Sequence, residues 1–326
     1  MPRKVPARGG VSGLEGTRVG RYLLRDCLGR GNHTAVYRAS TPSGEWCALK
    51  LVDARLQGDD DLAERLRQVA AVLDQIRHPH IVPILNPASS GEVTLAAMPL
   101  MVGPTLLDLM RGGSLDSERA WTILNHVADS LQSAHEWGLT YKVLKPANIL
   151  VRDDRAFLAE FGIAGRCAGP VGLADPDCNL LGAQYLAPEQ VLGVEPDHRA
   201  DIYAFGVLVF ELATSTPLHA APPAAILQRT LNAPAPSAHA RNPLIPREVD
   251  GVLCRAMEKD PRRRHASIGE LIDELVSPPQ RNGDHARGEV AAGEGSGSGV
   301  VTIDSLIDVL SGVMSPRPAH GGAPGG

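Results

Sequence analysis

An α+β architecture, a small sheet-rich half followed by a larger helical half, is predicted by three features of the 326-residue sequence. Short apolar runs bounded by turn signals crowd into the first hundred residues. Helical periodicity takes over after Gly103. The length suits one two-lobed domain of about 250 to 280 residues with tails, and no internal repeat is visible.

The sheet-rich half begins with three runs, YLLRDCLG from Tyr22, TAVYRAS from Thr34 and EWCALKLV from Glu45, separated by Gly/Asn and Pro-Ser-Gly turn signals. This is the pattern of an antiparallel meander. Residues 60–76 follow a helical period, with Leu62, Leu66, Val69, Ala70 and Leu73 on one face. Two further short strands are expected at Ile81–Leu85 and Val93–Met98. In the second half, residues 117–137 align Ala120, Leu124, Val127, Leu131 and Ala134, and Gly138 supplies a C-terminal stop. Helical periodicity returns at 201–214, 224–232, 247–258 and 267–276.

These patterns divide the chain into a smaller lobe at 20–101 and a larger one at 102–277. Residues 1–19, rich in Gly, Pro and Arg, are expected to be disordered. Residues 278–299 read as a flexible linker and 315–326 as a disordered tail. Between them, residues 300–314 form a short amphipathic segment with Ile303, Leu306, Ile307, Leu310, Val313 and Met314 on one side. Asp304 and Asp308 on its other side argue against an anionic membrane. A peptide that docks on a partner or on this domain is one reading, an idle tail the other.

A hydrophobic fraction of 43% supports a large core, and a net charge of -5 does not suggest nucleic acid or a membrane surface as partner. Five cysteines without a C-x-x-C pair argue for free thiols in a reducing compartment. Cys167 and Cys178, in one loop, are the pair that could join. The start MPRKVPARGG lacks an apolar stretch after its basic residues, and no run approaches a membrane span. A cytoplasmic location is therefore expected.

The ordered succession LGRGNHTAVYRA, CALK, HPHIVPI, LKPANIL, EFGIA, YLAPEQ, DIYAFGVLVFELAT and DPRRR, from Gly29 to Arg264, resembles the bacterial Ser/Thr protein kinase family. The resemblance implies a bilobal kinase fold, with an antiparallel-sheet N-lobe plus one helix and a mainly helical C-lobe. Phosphoryl transfer needs cations on the phosphates, carboxylates on the metal and a proton acceptor for the attacking hydroxyl.

The resemblance places Gly29 and Gly31 in a phosphate-covering loop whose third glycine is replaced by Thr34, a stiff β-branched residue. Val36 and Ala48 match the lid over the adenine and Leu150 the floor, although all three serve equally well as core. Pro99 would offer its carbonyl and Met101 its N–H to the base. Lys50 matches the phosphate-binding lysine, whereas the helix glutamate that pairs with it falls at Val69.

In YKVLKPANIL, Lys145 and Asn148 remain, but Val143 stands where the base should be and cannot accept a proton. EFG replaces the metal motif, so Glu160, beside Asn148, is a degraded metal ligand one methylene too long. The activation segment, 163–186, has Tyr185 as its only hydroxyl. Asp201, and the pair Glu189 and Arg264, match residues that hold the loops in place.

These departures point to a pseudokinase that serves as a binding, scaffold or regulatory module, with a protein partner such as another kinase or a regulated target. A weakly active Ser/Thr kinase is the alternative, and another ATP-dependent transfer on the same fold a third. Binding of ATP is left open, and binding of Mg²⁺ is doubtful.

Overall fold

The computed structural model describes residues 3–4, 11–30, 34–53, 62–90, 93–161 and 180–279. A seven-stranded sheet forms the first lobe, in the order β1-β2-β3-β4-β5-β7-β6. Its strands are β1 (Arg3–Lys4), β2 (Thr17–Val19), β3 (Tyr22–Arg30), β4 (Thr34–Ser40), β5 (Trp46–Asp53), β6 (Leu85–Ser90) and β7 (Val93–Pro99). All neighbours pair antiparallel except β1, which runs parallel to β2. The predicted meander is thus present, and the fold class holds.

Each face of this sheet is covered, as a strand with apolar residues on both sides requires. On one face, α1 (Leu62–Ile76) lays Leu62, Ala63, Leu66, Val69 and Leu73 against the core. The other face buries Leu24, Tyr37, Leu49, Leu51 and Leu95 under Val11, Leu14 and Val19. Residues 11–19, expected to be disordered, are therefore part of the fold. The Tyr37 hydroxyl donates to the Val11 carbonyl at 2.9 Å and accepts from the Leu14 N–H at 3.3 Å. Composition misled here because three apolar residues suffice to cap this sheet face.

The strand expected at Ile81–Leu85 is also displaced, to Leu85–Ser90. Pro83 cannot donate to a ladder. Ile81, Val82 and Ile84 are buried nonetheless. They pack from a loop, with Val82 N–H donating to Leu158 O at 2.8 Å.

The second lobe contains α2 (Leu106–Gly112), α3 (Ser117–Glu136), the hairpin β8 (Ile149–Arg152) and β9 (Arg155–Leu158), α4 (Leu180–Tyr185), α5 (Pro188–Val191), α6 (Arg199–Thr214), α7 (Pro223–Asn232), α8 (Ala238–Arg241), α9 (Arg247–Ala256) and α10 (Ile268–Val276). The predicted long helices match α3, α6, α7, α9 and α10 within about two residues. The hairpin and the short helices were missed, being too short for a periodic signal. Helix α6 is buried from Ala200 to Thr214 and forms the axis of the lobe. At Gly206 a Cβ would stand 2.9 Å from Ala256 Cβ, so the absent side chain lets α6 and α9 approach.

One apolar cluster runs continuously from Ala48 and Leu73 through Tyr141 and Phe161 to α6. The lobes therefore share a core. The strap between them passes tightly over β8: at Gly103, with φ 159°, a Cβ would meet Val151 O at 2.4 Å. Residues 280–326, including the linker and the amphipathic segment, lie outside the described residues.

Candidate functional site

A cleft of about 650 Å³ opens between the lobes. Gly29, Val36 and Ala48 roof it, Pro99 and Met101 line the strap, and Leu150, Asn148 and Glu160 close it below. Strand register brings the roof together: Val36 lies opposite Lys50 across β4–β5, and Ala48 opposite Met98 across β5–β7. Gly31 lies outside the described residues. The rim also holds residues that sequence reasoning missed, among them Leu28, Asp26, Arg38 and Asp108. Leu28 was within reach, because it directly precedes Gly29. The others depend on which strand and helix ends meet at the mouth.

Lys50 is buried, yet its ammonium is not left unpaired. Its Nζ lies 2.8 Å from Glu160 Oε1. Burial alone would raise the Glu160 carboxyl, but the Lys50 ammonium, with a smaller contribution from Lys145, outweighs it and holds the group below the usual carboxylate range. The ion pair with the helix is lost at Val69 as expected, yet the lysine still meets a carboxylate. Val69 does face the core and Gln68 and Glu64 are exposed, but the carboxylate of EFG supplies the partner from the other lobe.

The loop 141–148 is held from below. Asp201 accepts the N–H groups of Tyr141 and Lys142, each at 2.7 Å, and contacts His135 Nε2 at 2.8 Å. This keeps Lys142 in the left-handed region, φ 70°, a conformation costing an L-residue about 1–2 kcal/mol. Gln190 Nε2 donates to the Lys142 carbonyl at 2.8 Å, and the Lys142 ammonium pairs with Glu195. Asn148 Nδ2 donates to Val143 O at 2.9 Å, so the loop closes on itself around Val143. The Val143 side chain, half-buried, packs against the apolar cluster. It brings no polar atom to the cleft.

Tyr141 meets Phe161 edge to face, ring centroids 4.6 Å apart, and its hydroxyl donates to Ala159 O. Arg264, with a fully buried side chain, grips Glu189 through both oxygens at 2.7 and 2.8 Å. Tyr185 is buried and hydrogen-bonded to Glu211, whose carboxyl is raised by its own burial. The one hydroxyl of the activation segment is thus inside the protein. Residues 163–179 of that segment, with Cys167 and Cys178, lie outside the described residues.

A two-lobed fold with this cleft, a lysine on the central strand and an aspartate-held loop is matched by the sequence model described as protein kinase domain, over residues 22–276. The chain belongs to the protein kinase family. It is 35% identical over 283 residues to the serine/threonine-protein kinase PknH of Mycobacterium bovis, covering 83% of this chain and 46% of that protein. To PknE of the same organism it is 32% identical over 271 residues, covering 81% and 47%. The chain spans about half the length of these curated relatives. The crystal structure of the Mycobacterium tuberculosis PknI kinase domain superposes with a TM-score of 0.64 at 27% identity, over 80% of this chain and 97% of that one.

Kinases in general use ATP with Mg²⁺, and the cleft can be tested for both. An apolar slot between Val36, Ala48 and Leu150, beside the strap at Pro99–Met101, suits a planar base. The donor set fits a divalent cation poorly. Mg²⁺ needs oxygen ligands in near-octahedral order. Here Glu160 has one oxygen bonded to Lys50, and Asn148, whose N–H goes to Val143 O, keeps only a neutral amide oxygen for the ion. Among the described residues no helix is long and apolar enough to cross a membrane.

Proposed function

We propose that the chain is a kinase-fold binding module: it holds a nucleotide in the interlobe cleft and transfers no phosphate. The observation that carries this reading is Val143, a hydrocarbon in a loop whose backbone is otherwise held in place by Asp201 and Asn148. General-base assistance is typically worth about 10²- to 10⁴-fold in rate, and valine supplies none. The partner of such a module is a protein, another kinase or a regulated target, met in the cytoplasm.

A second reading is favoured by the relatives, which carry the name of serine/threonine-protein kinases. On that reading the chain is a slow Ser/Thr kinase that relies on positioning alone. ATP labelled in the γ-phosphate separates the two. The binding-module reading expects no label on the chain or on a generic basic protein above that given by Lys50→Ala. Label that depends on Lys50 would establish the second reading instead.

A further inference from the structure

We propose that the cleft takes its nucleoside polyphosphate as the free anion, with no divalent cation. The inference rests on the reading that the cleft binds a nucleotide, and specifies the form of that ligand.

The family pattern sets three carboxylates near the phosphates: one on the helix, one in the catalytic loop and one in the metal motif. Here two of the three are hydrocarbon, Val69 and Val143. Both lysines, Lys50 and Lys145, are kept. Glu160 is bonded to Lys50 and Lys145 adds a second positive charge in its surroundings, so among the described residues the local field favours anions where the family pattern favours a cation. At the mouth Asp26 is paired to Arg38, while Asp108, which accepts from Thr105 N–H and Oγ, keeps its charge on the first turn of α2.

A divalent ion on Glu160 would also have to compete with Lys50, 2.8 Å from Oε1. Among the described residues, α1 brings no second acid to the displaced lysine. Val69 is 8% exposed within the core, and Glu64 points outward and pairs with Arg67. Phosphate oxygens can instead join Glu160 around the same ammonium, which carries three donors.

Calorimetric titration of the full chain with ATP, once with excess EDTA and once with excess Mg²⁺, tests this. The expected result is an affinity in EDTA equal to or tighter than that in Mg²⁺, lost by about tenfold or more in Lys50→Ala. Binding that Mg²⁺ tightens by about tenfold or more overturns the inference while leaving the binding module intact. Failure to bind in either buffer overturns the inference and the nucleotide reading together. Val69→Glu returns an acid to the core face of α1 and is expected to make binding tighten with Mg²⁺. Should that variant not fold, the wild-type pair of titrations decides the question alone.

Discussion

At the scale of single residues, the account turns on what replaces a charge and what then happens to its partner. Val143 and Val69 were legible as losses from the sequence alone, because ungapped motifs number them. The new partnership of Lys50 was not. It depends on the distance between β5 in one lobe and the segment after β9 in the other, which no spacing encodes. Val143→Asp combined with Glu160→Asp and Val69→Glu is expected to raise γ-phosphate transfer above background, read as labelled product. An inert triple variant would place the defect elsewhere as well. Asp201 has the opposite role, holding backbone instead of doing chemistry. Asp201→Ala leaves the Tyr141 and Lys142 N–H groups unpaired in a buried place and is expected to cost about 3 kcal/mol, read by chemical denaturation.

Between elements, stability is concentrated where the activation segment meets the helical lobe. Arg264, just before α10, holds Glu189 on α5 in a pair whose guanidinium is fully buried. Arg264→Leu leaves that carboxylate without its partner, with an expected loss of about 3–5 kcal/mol. A loss under 1 kcal/mol would mean that water reaches Glu189. The crossing of α6 and α9 has no room for a side chain at Gly206, so Gly206→Val is expected to cost about 1–3 kcal/mol by overpacking. The long helices behind these contacts were readable from their period, as was the meander. Residues 11–19 and the loop at Ile81–Ile84 were not, because their burial comes from tertiary covering and not from a regular repeat.

For the molecule as a whole, histidines held below their usual range contribute an acid limit. His219 is pushed down to about 4 from 6.5 by burial and by Lys259, Arg229 and Arg241, and burial also lowers His80 and His126. The unfolded chain binds the proton first, so stability is full above about pH 6.5 and falls as the pH drops towards 4. For His219 alone the loss approaches about 3 kcal/mol. His219→Gln should flatten this acid limb in thermal melts, and an unchanged limb would locate the sensitivity in other groups. The two lobes share one core and a cleft between them, a whole kept intact around a loop without a base. The most direct test of that claim is incorporation of γ-labelled phosphate by the full chain, with Lys50→Ala as background. The account predicts that the two are indistinguishable; incorporation by the wild type that disappears in Lys50→Ala would contradict it.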